Sequence, residues 1–191
     1  MLDEQQILDR LAQTGALLDG HFRLRSGLHS NRFFQAALAL QHTELAAELC
    51  AQLAEQVKRA GVPVNTVVAP AIGGIVVGQE VGRSLGCRAI FAEKDAEDKL
   101  VLRRGFSLGP EDNVLVAEDV VTKGGRVQQT IDLVKAEGAS VQGVAVLVDR
   151  SGGTVDFRVP FFRLLALQLE TYSPEHCPLC RAGSQAEKPG S

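Results

Sequence analysis

The chain has 191 residues, 45% of them hydrophobic and 23% charged, with 20 Lys and Arg against 23 Asp and Glu for a formal charge of -3. Apolar residues recur throughout, which excludes a disordered chain, and the slight acidity argues against a general nucleic-acid or anionic-membrane binder. The length suits one domain with a sizeable core, since about 70% of the unfolded surface is buried at this size.

The longest apolar runs, such as Val144 to Val148, fall far short of the roughly 20 residues needed to span a bilayer. Met1-Leu2-Asp3-Glu4-Gln5-Gln6 has neither a basic start nor an apolar stretch behind it, so the expected compartment is the cytoplasm. Cysteines at 50, 87, 177 and 180 are too few and too unevenly spread for a disulfide scaffold.

Residues 4 to 14 place Ile7, Leu8 and Leu11 at helical spacing and stop at Gly15. Phe22-Arg23-Leu24-Arg25-Ser26-Gly27 alternates apolar and basic residues as a half-exposed strand does, with Arg32-Phe33-Phe34-Gln35 as its return partner. Residues 43 to 60 form the clearest helix: Leu45, Leu49, Leu53 and Val57 share a stripe, Thr43 is the expected N-cap and Gly61 the stop.

From there strand, turn and helix repeat. Short apolar strands are expected at Thr66–Ala69, Arg88–Ala92, Val114–Ala117 and Val144–Val148, with helices running to Gly86 and from about Arg126 to Glu137. Continuous β-branched runs separated by helices are strands buried on both faces, hence a parallel α/β sheet. The polar stretch Glu93 to Asp112 suits a functional lid, and within it Leu100-Val101-Leu102 is able to pair with Gly105-Phe106-Ser107 as a hairpin. Residues 182–191 read as a disordered tail.

In an open parallel sheet, ligands bind beyond the carboxyl ends of the strands. The strongest candidate there is Val114-Leu115-Val116-Ala117-Glu118-Asp119-Val120-Val121-Thr122-Lys123-Gly124-Gly125-Arg126, with adjacent carboxylates, a Gly-containing turn and a helix start. Such a start offers free N–H groups to a phosphate, and the carboxylates suit sugar hydroxyls or, through water, Mg²⁺. The competing reading is an ordinary turn in which Asp119 and Thr122 cap the helix, and spacing alone does not choose. No Gly-x4-Gly-Lys-Ser/Thr or Gly-x-Gly-x-x-Gly pattern supports a P-loop or dinucleotide site.

Residues 114–126 resemble the phosphoribosyl-diphosphate (PRPP) motif of type I phosphoribosyltransferases. Phe22–Ser30, Ala69-Pro70-Ala71-Ile72-Gly73-Gly74-Ile75 and Val148-Asp149-Arg150-Ser151-Gly152-Gly153 are similar to segments of the orotate phosphoribosyltransferase branch, in its Thermus-like bacterial form. Glu170-Thr171-Tyr172 and Cys177-Pro178-Leu179-Cys180 also fit, so the likeness runs in order from about residue 7 to 181.

The resemblance implies an α/β fold with a central, mainly parallel sheet flanked by helices and a small hood. A single domain would cover 1–181, with a core over about 43–150 and a hood from about 1–40 and 154–181. The implied enzyme is a pentosyl transferase of pyrimidine biosynthesis that joins PRPP to orotate, giving orotidine 5′-monophosphate and diphosphate. It would use Mg²⁺ and act as a homodimer sharing its lids, with no nucleic acid or membrane involved. The alternatives are transfer to another nucleobase and a non-catalytic PRPP-sensing regulator; the acidic N-terminal helix does not suit DNA.

Residue by residue, the resemblance gives Glu118 and Asp119 the ribose hydroxyls, and Val120, Val121, Thr122, Lys123, Gly124, Gly125 and Arg126 the 5′-phosphate. Ala71, Ile72 and Gly73 would wrap the diphosphate, and Ala71-Ile72 is the candidate for a cis bond. Arg25, Phe33, Phe34, Thr122 and Arg150 would line the orotate site, with Arg150 positioned to clamp a carboxylate. Phe33 and Phe34 have core packing as the commoner fate of such residues, and Arg150 has an ion pair with Asp149 as its bland alternative. Lys94 and Asp119 take the catalytic roles, and Lys99, Arg103 and Arg104 belong to the lid, where a solvated basic face is the alternative for the two arginines. No residue is assigned as a metal ligand.

The sequence also departs from the pattern. The lid opens as Ala92-Glu93-Lys94-Asp95 rather than with an Arg-Lys pair, the lid holds no His, Gly73 stands where many relatives carry Lys, and Arg25 replaces Lys. In His176-Cys177-Pro178-Leu179-Cys180 the Cys-x2-Cys is half of a common zinc site, with His176 as a further possible ligand. A complete site needs ligands from another segment or chain. A packed C-terminal turn is the favoured reading, and Cys50 and Cys87 read as buried small hydrophobes.

Overall fold

The computed structural model describes residues 1–24 and 26–189. In chain order the elements are α1 (Glu4–Gln13), β1 (Leu17–Arg23), β2 (His29–Phe34), α2 (Ala36–Leu40), α3 (Thr43–Arg59), β3 (Thr66–Pro70), α4 (Gly74–Leu85) and β4 (Arg88–Lys94). There follow β5 (Leu100–Leu102), β6 (Asn113–Val121), α5 (Gly125–Ala136), β7 (Ser140–Asp149), β8 (Phe161–Ala166), β9 (Thr171–Tyr172), a 3-10 turn (Pro174–His176) and α6 (Pro178–Arg181). They form two compact units, one from Leu40–Leu167 and one from Leu2–Ala39 with Gln168–Ser191.

The larger unit is a six-stranded sheet in the order β5-β4-β3-β6-β7-β8. All its neighbours are parallel except β4 and β5. Every residue of β3 is buried, as are Val114–Glu118 and Gly143–Asp149, which is why these strands read as unbroken apolar runs. From the centre, β3 leads outward to β4, while β6 leads the other way to β7 and β8. The strand order therefore reverses between β3 and β6, where ligands of open α/β sheets bind.

Side-chain alternation decides which face each helix covers. Val127, Ile131 and Val134 of α5 cluster with Val68, Val114, Val116, Val144 and Val146. The opposite face carries Ala69 and Ala89, against which α4 lies so closely that a Cβ on Gly78 or Gly82 would come within 2.7 or 2.8 Å of those methyl groups. Helix α3 packs beside α4 and buries the predicted stripe of Leu45, Leu49, Leu53 and Val57.

The smaller unit holds a three-stranded antiparallel sheet in the order β1-β2-β9. Asp3 and Gln6 form a reciprocal cap on α1, which buries Ile7 and Leu11.

Several expectations are corrected. The first strand is Leu17–Arg23 rather than residues 22 to 27, because the chain turns where Gly27 takes a φ of 83° and donates to Leu24. His42 rather than Thr43 precedes α3 as its N-cap. Leu100–Leu102 pairs with Ala92–Lys94, not with 105–107. The Asp95 carboxylate, accepting from the amides of Glu97 and Lys99, closes the turn earlier than the glycines suggested. Phe161–Ala166, placed by sequence in the hood, is the sixth strand of the main sheet, so the unit boundary falls at 167 instead of near 150. Residues expected in a disordered tail hold structure: the Glu187 amide donates to His21 and its carbonyl accepts from Arg23.

Candidate active site

At the end of β6, Glu118 and Asp119 follow one another. Glu118 is buried, its carboxylate accepting from the Asp119 amide at 3.1 Å, while Asp119 accepts from Val120 N–H at 2.9 Å. Burial pushes the Glu118 carboxyl up to about 9, and its hydrogen bond with Asp119 and the charge of Asp119 push the same way. The pair thus holds a proton at neutral pH, with the second acid half-buried beside it.

The turn after β3 leans on this pair. A Cβ on Gly73 would lie 2.7 Å from Asp119 Oδ2, and one on Gly74 would lie 3.0 Å from Glu118 Oε1. The Ala71–Ile72 peptide bond is cis, and Ile72 is 85% exposed. The structure therefore brings the predicted diphosphate turn and the predicted ribose carboxylates together.

Past Val121, Thr122 and Lys123 are exposed and Gly124 enters α5 with a φ of 76°. Only glycine fits there comfortably, since a Cβ would also meet Phe157 and Val155 at 3.0 Å. Helix α5 has no side-chain cap. The capping alternative for Asp119 and Thr122 is thereby overturned, because Asp119 spends its oxygen on its own strand's next amide. The first-turn N–H groups of α5 remain oriented to an anion, and the helix dipole favours one. Arg126 donates to Gln129 at 2.8 Å.

Arg150 follows β7, its amide donating to the Val121 carbonyl at 2.8 Å, one residue past the Val121–Asp149 pairing. It therefore stands level with Thr122. Its Nε is buried with no hydrogen-bond partner among the described residues, and burial pulls the guanidinium below its ordinary value. The Asp149 ion pair weighed for Arg150 goes instead to Arg163, at 3.1 Å, with the Ser151 amide as a second donor at 2.8 Å. A buried donor without an acceptor costs about 1–3 kcal/mol, which an anionic ligand would recover.

The lid candidates separate. Lys94 ends β4, two residues beyond the Pro70–Ala92 pairing, and so reaches the same sheet edge. It pairs with Asp98, whose carboxyl it lowers. Arg104 grips Glu93 with two hydrogen bonds of 2.8 and 2.9 Å and lies 5.8 Å from the Phe91 ring. Because Leu102 pairs with Ala92, Arg103 and Arg104 return toward Phe91 rather than to the edge. Lys99 and Arg103 are exposed. Sequence reading missed the acids that occupy two of these cations.

In the smaller unit, Phe34 is buried and Phe33 is half-buried against Phe22, 5.8 Å between ring centres, so both pack. Arg25 lies outside the described residues. Val155 and Phe157, which lie against Gly124, and the Asp149 partner Arg163 were not foreseen, since nothing local in sequence marks them.

Residues 37–173 match the phosphoribosyl transferase domain family. The chain is 50% identical over 190 residues to a protein of Desulforamulus reducens named orotate phosphoribosyltransferase, covering 100% of this chain and 98% of that one. It is 52% identical over 176 residues to one of the same name from Carboxydothermus hydrogenoformans, covering 92% of each. The fold matches the crystal structure of orotate phosphoribosyltransferase from Aeropyrum pernix with a TM-score of 0.70, at 21% identity over 84% of this chain and 93% of that one. Half identity along the whole length, with the site motifs gathered at the reversal point of the sheet, means that the chain belongs to the phosphoribosyltransferases, in their orotate phosphoribosyltransferase branch.

Proposed function

We propose that the protein transfers the 5-phosphoribosyl group from PRPP to N1 of orotate, releasing diphosphate, with the chemistry carried at the β3–β6 reversal. The observation that carries this assignment is the buried, partnerless Arg150 Nε level with the uncapped start of α5. One anion-seeking group suits the 5′-phosphate and the other the orotate carboxylate.

In this reading Glu118 and Asp119 hold the ribose hydroxyls, and the amides from Thr122 to Arg126 hold the phosphate. Residues 71–73 wrap the diphosphate with backbone. The transition state separates charge between an oxocarbenium-like ribose and the leaving diphosphate, so orientation and fixed dipoles matter more than a nucleophile. The Asp119 carboxylate beside the ribose offsets positive charge there, and Lys94, released from Asp98, offsets negative charge on the diphosphate. The adjacent carboxylates of Glu118 and Asp119 have the hard oxygen donors that would suit Mg²⁺. When bound with PRPP, Mg²⁺ neutralises charge on the leaving group. The same reading makes this a cytoplasmic homodimer in which the segment from Glu93 to Asp112 closes over its partner's site.

The test is orotate consumption, followed by ultraviolet absorbance, with PRPP and Mg²⁺. Asp119→Asn is expected to lower turnover by about a hundredfold or more, and Arg150→Ala to lower kcat/KM for orotate by about tenfold to a hundredfold. Normal turnover in Arg150→Ala would overturn the assignment of the base site.

A further inference from the structure

Away from the reversal point, four side chains of the smaller unit converge. His21 comes from β1, His29 from β2, Cys177 from the junction of the 3-10 turn with α6, and Cys180 from α6. Their ligand-capable atoms all lie within 4.8 Å of one another. His21 Nε2 is 3.0 Å from His29 Nδ1, 3.4 Å from Cys177 Sγ and 3.7 Å from Cys180 Sγ, and Cys180 Sγ is 3.3 Å from His29 Nδ1. Cys177 is fully buried, and His21 and His29 are 6% and 7% exposed.

We propose that His21, His29, Cys177 and Cys180 form a structural zinc site that ties the two ends of the chain together. Bond lengths of about 2.0–2.1 Å to nitrogen and 2.3 Å to sulfur put the corners of a zinc tetrahedron about 3.3–3.8 Å apart, close to the spacings here. Hydrogen bonding alone accounts for them poorly. A neutral imidazole nitrogen has one proton or one lone pair, yet His21 Nε2 faces three neighbours at once. A cation at the centre satisfies all four atoms.

The surroundings agree with that assignment. His21 Nδ1 lies 3.1 Å from Ser184 Oγ, the outer partner that fixes the ring of a metal-bound histidine. Two thiolates and two neutral imidazoles around Zn²⁺ sum to zero charge, so the buried group carries no net ion. On binding, the two thiol protons leave to solvent while two Zn–S and two Zn–N bonds form. Two nitrogens with two sulfurs in a closed tetrahedron select zinc over the oxygen-seeking Mg²⁺.

His176, the neighbour that sequence suggested as a ligand, has its Nδ1 2.9 Å from Ser173 Oγ. The missing half of the site comes instead from the β1–β2 hairpin, more than a hundred residues earlier in the chain. The smaller unit has only about sixty residues and one short sheet, the size at which a core alone is marginal and metals serve as staples. Both β1 and β9 flank β2, the strand that carries Phe33, so the metal would hold that strand in place.

The experiment is elemental analysis of untagged, full-length protein, with cobalt replacing zinc as an optical probe. About one zinc per chain is expected, and the cobalt-loaded protein should show tetrahedral visible bands with thiolate-to-metal charge transfer. Cys177→Ser and His29→Gln should each lower zinc content at least tenfold, while His176→Gln leaves it unchanged. If the variants do not fold, the cobalt spectrum of the unaltered chain still decides. Metal-free protein with no thiolate–cobalt spectrum, or zinc retained in folded Cys177→Ser, would overturn the site and leave a thiol–imidazole cluster.

Discussion

The two edges of the main sheet treat polar groups in opposite ways. At the edge where β3 and β6 begin, Asp112 accepts from Thr66 at 2.6 Å, Arg88 at 2.7 Å and the Gly109 amide at 2.9 Å. Burial works against its charge, yet these donors win and hold the carboxyl below its ordinary value. Asn65 and Asn113 tie the same edge together. At the opposite edge Glu118 is pushed up to about 9, Arg150 has an orphaned Nε, and α5 starts without a side-chain cap. At one edge the acid is met by protein donors, and at the other Arg150 Nε and the start of α5 have no side-chain partner among the described residues. Binding capacity here is a matter of which polar groups the fold leaves unpaired.

The comparison breaks most sharply at Asp119. Asp119→Asn should lower kcat/KM for PRPP by about 10²–10³-fold with little change in melting temperature. At Arg150, truncation to Ala should cost about tenfold to a hundredfold in kcat/KM for orotate, the worth of a charged hydrogen bond, while PRPP affinity measured by calorimetry stays close to the unaltered value.

Gly124→Ala tests the turn. A side chain would have to adopt a positive φ and displace Phe157, so unfolding should become easier by about 1–3 kcal/mol, with weaker phosphate binding. On the satisfied edge, Asp112→Asn should cost about 1–2 kcal/mol of stability and leave both KM values alone. A depressed carboxyl stabilises above its unfolded pKa, so the gap in stability between the unaltered chain and this variant should shrink as denaturation is followed below about pH 4.

The smallest effect is at Glu118. A raised carboxyl contributes stability at acid pH that drains away as pH climbs from the unfolded value, about 4.3, toward 9. Glu118→Gln should therefore raise the melting temperature of the ligand-free protein by a few degrees at pH 8 and by less at pH 5. An equal gain at both would contradict the assigned proton.

Much of this was readable from residue types. The β-branched runs at 66–69, 114–117 and 144–148 declare buried parallel strands, and Gly86, taking a φ of 71°, ends α4 as the pattern required. The acid pair and the following glycines marked the candidate site because both residue types answer a local need. Strand β8 escaped because its burial does not alternate and only Leu165 is fully covered, so no short-range pattern separates it from the hood. The lid pairings escaped because an ion pair such as Glu93–Arg104 depends on how β5 folds back on β4. The cluster of His21, His29, Cys177 and Cys180 escaped for the same reason: Cys-x2-Cys is visible, but the histidines that meet it lie far away along the chain.

The most direct test of the central claim compares orotate with uracil, which lacks the carboxylate, in the unaltered enzyme and in Arg150→Ala. If Arg150 is left unpaired for that group, the unaltered enzyme should prefer orotate strongly and the variant should lose most of the preference through its orotate activity. A preference for orotate that survives in Arg150→Ala would show that the orphaned guanidinium does not read the base.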